Sequence, residues 1–77
     1  MEAVYRLRRH QVDAAIVRTM KARKTLKHRD LLNEVIQQLR GTFTPKPVDV
    51  KKRIANLIEM EYLVRDENDR QMYHYKA

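Results

Sequence analysis

Up to about residue 59 the apolar residues of this chain recur at helical spacing, and beyond it they alternate as in strands. That change of period limits the fold more than any other feature. Residues 4–24 contain no glycine or proline and are predicted to form one long helix, with Val12, Ile16 and Met20 on a single face and Ala15 and Thr19 beside them. "LKH" before Arg29 reads as a short extended piece. In "DLLNEVIQQLRG", Leu31, Leu32, Val35, Ile36 and Leu39 mark a second helix. Asp30 places negative charge at its start, and Gly41, the single glycine, is placed to end it in the left-handed conformation. "TFTPKP" breaks the pattern, and Phe43 is expected to plug the core from this loop. A third helix starts near Pro47, because proline suits a first helical turn, and buries Val50, Ile54, Leu57 and Ile58. "YLVR" and "QMYHY", separated by "DENDR", then read as a hairpin.

Three helices followed by a two-stranded hairpin make the winged-helix arrangement, mainly α with a small β-hairpin. The alternative is a three-helix bundle with a frayed tail, which would leave Tyr62, Leu63, Tyr73 and Tyr75 in water. On the wing, Tyr73 and Tyr75 share the inward face and His74 points out, while the tip acids Asp66 and Asp69 are expected to be solvated. Residues 1–11 read as the N-terminal part of a first helix continuing from a longer chain, and 12–77 as the winged-helix domain.

Seventy-seven residues make one small domain with a core of marginal size. Cysteine, serine and tryptophan are absent, which excludes disulfides, thiolate metal sites and serine or cysteine nucleophiles. The missing cysteine fits a reducing compartment. No apolar run approaches the roughly 20 residues of a membrane helix. The start, "MEAVYRLRRH", lacks the apolar stretch of a signal peptide. Net charge is +7, and residues 1–28 carry +6 of it, from eight Lys/Arg against Glu2 and Asp13. Such a basic stripe suits nucleic acid or an acidic protein surface equally.

A DNA-binding winged helix and a plain protein-interaction module are the alternative functions, and the charges weigh against the first. The outward face of the third helix carries Asp49, Lys52, Asn56 and Glu59, and the wing tip carries Asp66, Glu67 and Asp69. These acids repel phosphate where such folds usually touch DNA. His10, His28 and His74 are far apart and lack cysteine companions, so ordinary histidines are the better reading than metal ligands. Glu59 and Glu61, two apart on a helix, do not face each other, and the tyrosines suit packing. No catalytic constellation emerges. "IVRTMKARK", residues 16–24, holds Arg18, Lys21, Arg23 and Lys24. With the core direction set at Ile16, Lys21 lies about 140° away and points into solvent. A solvated basic face and a presented amine both satisfy that geometry.

"AAIVRTMKARK" closely resembles the segment around the neddylation site in the C-terminal winged-helix domain of cullins, a pattern near IVRxMKxRK. Ile16, Val17, Arg18, Met20, Lys21, Arg23 and Lys24 match it. The resemblance continues through "LLNEV", "VKKRI", "LIEMEYLVRD" and the final "YHYKA", and covers Gln11 to Ala77. It departs at Thr19 and Ala22, where isoleucine and methionine are common in cullins. A hydroxyl at Thr19 is expected to bond a carbonyl one turn back. "QVDAAIVR" is similar to cullin four, "LKHRDLLNEV" to cullin one, and "PVDVKKRI" with "EYLVRDENDR" to cullin three.

The resemblance implies that Lys21 accepts a ubiquitin-like modifier through an isopeptide bond and that the scaffold then becomes a more active ubiquitin ligase. Around it, Arg18, Arg23, Lys24 and Lys27 form the expected partner-binding basic face. Implied partners are the modifier, a RING subunit, a neddylation conjugating enzyme with its acidic co-ligase, a deneddylating signalosome and a substrate-receptor exchange factor. The chain is then a scaffold and a substrate of conjugation rather than an enzyme. It needs no cofactor, metal or membrane, and acts in cytoplasm and nucleus.

Overall fold

A computed structural model describes residues 2–76, with side chains from 8 to 76. The order of elements is α1 (Glu2–Arg23), β1 (Thr25–Lys27), α2 (His28–Leu39), α3 (Pro47–Glu59), β2 (Leu63–Arg65) and β3 (Met72–Tyr75). The helical stripes meet in one core. Ile16, Met20, Leu31, Val35 and Val50 are fully buried, and Ile54, Leu57, Leu63 and Tyr73 nearly so. Full burial of a side chain such as Ile16 or Leu31 contributes about 1.5–3 kcal/mol. Phe43 packs against this core from the loop, as its isolated position in "TFTPKP" suggests. Thr19 is buried too, and its hydroxyl donates to the Ala15 carbonyl at 2.7 Å, one turn back. Arg53 holds Asp13 through two hydrogen bonds, of 2.7 and 2.8 Å, and so ties α3 to α1. Both side chains keep about a fifth of their surface in water, which moderates the desolvation cost of the pair.

The sheet has three strands, not two, in the antiparallel order β1-β3-β2. Leu26 faces Tyr73 across one ladder, and Leu63 faces Tyr75 across the other. The extended piece before Arg29 thus becomes an edge strand on the far side of the hairpin. Gly41 does not end α2 in the left-handed region, since no glycine has positive φ. Arg40 stays right-handed, and the N–H groups of Thr42 and Phe43 both donate to the Leu39 carbonyl. This tight right-handed turn brings Phe43 straight back to the core. The left-handed residues are instead Lys24 (φ 71) and Glu61 (φ 67), just past the ends of α1 and α3.

Two expectations about the wing need correction. Tyr73 is the buried ring, 3% exposed, whereas Tyr75 is only half-buried. Asp66 is not simply solvated. It accepts the N–H groups of Asn68 at 2.9 Å and Asp69 at 3.0 Å, and pairs with His74 Nε2 at 2.7 Å. The His74 contact, then these backbone donors, hold its carboxyl below the usual value of 3.8. Asp69 in turn accepts the Gln71 N–H at 2.9 Å. The tip acids build the turn, because short carboxylates can close a loop on its own amides.

Two measurements follow from this packing. Tyr73→Ala empties a buried site and should cost about 3–5 kcal/mol, with Tyr75→Ala costing clearly less. Denaturant melts compare them, and equal losses would contradict the burial difference. His28 supplies the second. Its Nδ1 shares a 2.8 Å hydrogen bond with the Tyr73 hydroxyl. Burial, then the charges of Lys51 and Arg65, hold its imidazole below the ordinary 6.5. Above that value His28 is neutral in both folded and unfolded chains. As pH falls from about 6.5 through the lower folded value, the unfolded chain takes the proton first, so stability drops. Melting temperature should therefore fall across this window, and His28→Gln should flatten that part of the profile.

Candidate functional site

The last turns of α1 carry the basic motif, and the core sets their orientation. Ile16 and Met20 are fully buried and Thr19 is 4% exposed, so the opposite face is turned to water. Lys21 is on that face. Among the described residues its ammonium makes no hydrogen bond, ion pair or ring contact. The helix beneath it is well fixed. The Lys24 N–H donates to the Met20 carbonyl at 2.7 Å, and the Lys24 carbonyl accepts the Tyr75 N–H at 2.8 Å. Lys21 is thus a free amine on a rigid mount, with only its own four-carbon stem to move.

The structure does not bring the four expected partner-binding cations into one free face. Arg18 donates twice to Gln38 Oε1, at 3.1 and 2.9 Å, and Gln38 Nε2 in turn bonds the Thr19 hydroxyl. Arg23 pairs with Glu34. These two arginines therefore line the seam between α1 and α2. Lys24 lies over the Tyr75 ring, 5.2 Å from its centroid. Lys27 is exposed on β1. Sequence reasoning missed Glu34, Gln38 and Tyr75. The four-residue spacing of Glu34 and Gln38 puts them on one face of α2, but which cations they meet depends on how the two helices align.

The outward face of α3 mixes a cation with a carboxylate. Lys52 and Glu59 are exposed on α3, and Asn56 bonds the Met60 sulfur at 3.2 Å. At the wing, Arg65 donates to the Arg70 carbonyl at 3.0 Å and lies 5.4 Å from the Tyr73 ring centroid, folded back rather than extended. His28 and His74 are committed to different partners, Tyr73 for one and Thr25 with Asp66 for the other. Duplex DNA should bind weakly, without sequence preference, and should lose affinity steeply with added salt. A titration at about 0.15 M salt decides this, since tight sequence-selective binding there would reassign the α3 face.

The chain matches the family model described as the cullin protein neddylation domain over residues 7–69. It is 60% identical over 70 residues to Cullin-3 and 57% identical over 70 residues to Cullin-4, both of Dictyostelium discoideum, with 91% of this chain covered in each case. It is 50% identical over 76 residues to Cullin-4A of Homo sapiens, covering 99% of this chain. These alignments take in 9%, 8% and 10% of the relatives, so the chain spans a tenth or less of their length. Similarity to Cullin-3 and Cullin-4 alike fits its mixed paralogue features. The fold superposes on a solved Dcn1(P)-Cdc53(WHB) structure, described as a dual E3 mechanism for Rub1 ligation to Cdc53. The TM-score is 0.92 at 37% identity, over 99% of this chain and 87% of that one. Ala77, the last residue of the family's terminal pattern, lies outside the described residues. With three helices and a wing in place and a family model spanning most of its length, this chain belongs to the cullins and carries their neddylation domain.

Proposed function

We propose that Lys21 is the acceptor of a ubiquitin-like modifier, and that its modification activates a cullin scaffold within a multisubunit RING ubiquitin ligase. The observation that carries the reading is the uncommitted, outward amine of Lys21 on a helix held by α2 at one flank and by the sheet at its end. Its place in "IVRTMKARK" supports the same assignment. The modifier arrives as a thioester on a conjugating enzyme. Lys21, once its ammonium has lost a proton to solvent or to the enzyme, attacks the thioester carbon. A C–N bond forms, the C–S bond breaks, and the thiolate leaves with the electron pair; the second amine proton is lost as the amide forms. The chain supplies orientation and the nucleophile, while activation of the thioester belongs to the conjugating enzyme.

The positive field of α1 suits an acidic co-ligase, and charge complementarity of this sort raises encounter rates more than final affinity. Arg18, Arg23 and Lys24 keep their charges while making internal contacts, and Lys27 adds an exposed charge on β1. The solved Dcn1–Cdc53 complex supports a co-ligase as partner. Membership of the cullins extends the proposal to a RING subunit, a deneddylating signalosome and a substrate-receptor exchange factor, acting in cytoplasm and nucleus.

Reconstituted conjugation with the modifier, its activating and conjugating enzymes and the RING subunit tests the assignment, with peptide mass mapping as readout. Lys21 should hold the modifier in the dominant product. Lys21→Arg keeps the charge, but a guanidinium stays protonated and is no nucleophile here, so that product should disappear. Undiminished yield in the variant would remove Lys21 from the mechanism.

A further inference from the structure

The proposed reaction must choose among neighbouring lysines. Lys21, Lys24 and Lys27 are all exposed. Had α1 continued past Arg23, Lys24 would stand about 60° from Lys21 on the same face, where both amines meet the same thioester. The helix ends at Arg23 instead. Lys24 adopts φ 71 and turns the chain out of the helix into β1. Its carbonyl is held by the Tyr75 N–H, and its ammonium lies 5.2 Å from the centroid of the Tyr75 ring. Tyr75 is itself half-buried and packed on the core, so the ring is a fixed surface and not a loose neighbour.

We infer that Tyr75 is a specificity-determining residue for the acceptor. Together with the left-handed backbone at Lys24, its ring keeps the Lys24 amine off the face that presents Lys21. The inference rests on Lys21 being the acceptor and gives a physical reason for its nearest rival in sequence to be disfavoured. An exposed contact between an ammonium and a ring holds the amine by a factor of about two to five. The backbone turn supplies the remainder, and no side-chain substitution at Tyr75 removes it.

Two assays on one set of variants test the idea. In the first, the chain is acetylated with limiting N-hydroxysuccinimidyl acetate and each lysine is followed by peptide mass mapping, with no conjugation enzyme present. Lys24 should react more slowly than Lys21. Tyr75→Leu should raise the Lys24 rate about two- to five-fold relative to Lys27, and Tyr75→Phe, which keeps the ring, should leave it unchanged. Lys27, on β1 and away from the ring, is the internal reference, because general loosening of the fold would raise both. In the second assay, enzymatic conjugation is run in the Lys21→Arg background. Any modifier on Lys24 should rise by the same factor with Tyr75→Leu and not with Tyr75→Phe. An unchanged Lys24 rate in Tyr75→Leu, or an equal rise at Lys27, would overturn the inference. Wild-type modification that maps away from Lys21 while the acetylation order holds would instead sink the acceptor assignment and leave the restraint on Lys24 standing.

Discussion

The arrangement depends on β3, the last strand, being hydrogen-bonded on both sides. On one side the Tyr75 N–H reaches the carbonyl of Lys24, just beyond α1. On the other the Lys76 N–H reaches the carbonyl of Tyr62, just beyond α3, at 3.0 Å. Helices α1 and α3 end alike, with a non-glycine residue at positive φ just ahead of a flanking strand. Such a residue costs roughly 1 kcal/mol, and it persists only where its surroundings demand it. The demand here is geometric. Both helices must stop and reverse within one to three residues so that β1 and β2 can lie beside β3. The final residues therefore hold the ends of two helices, one about fifty positions back and the other about fourteen.

That closure bears on function because the proposed acceptor stands only three residues before one of the pinned ends. A modifier joined to a flexible segment could be carried almost anywhere. Joined to Lys21, it starts from a helix whose last turn is held by Met20 beneath, α2 at one flank and the sheet at its end. Direction at the base of the linkage is then set by the fold, and freedom begins only with the lysine stem. The wing contributes as a support through the Tyr75 N–H on the Lys24 carbonyl. Asp66 and Asp69 are spent on closing the turn and, for Asp66, on His74, which also shares a 2.9 Å hydrogen bond with Thr25 on the opposite edge strand.

Much of this was legible from local pattern. Val12, Ile16 and Met20 are all buried, Thr19 bonds Ala15, Pro47 opens α3, and Lys21 faces out, because a helical period fixes which residues share a face. What local pattern missed has a common origin in alignment between distant segments. "TLK" carries no sign that it will pair with "MYH", some fifty positions on. Gly41 looked like the natural left-handed residue, yet Lys24 and Glu61 take that conformation, since the need for it arises from strand pairing and not from residue preference. Likewise, nothing within "IVRTMKARK" separates the cations bound to α2 from those that are not. Arg18 and Arg23 meet Gln38 and Glu34 only because of how α1 lies on α2.

The clustering of charge at this helix end also follows from the helix itself. Unpaired carbonyls at a C-terminus favour cations, and Lys21 and Arg23 occupy the last turn of α1. Placing several like charges together is tolerable when most acquire a local partner: Arg23 has a carboxylate, Arg18 an amide oxygen and Lys24 an aromatic face. Each contact orders its side chain but leaves its positive charge in the field that an approaching partner meets. Long-range attraction is thus shared by the whole cluster, whereas chemical availability is not. On the proposed reading, a single motif attracts an acidic protein with four cations while Lys21 serves as the acceptor amine.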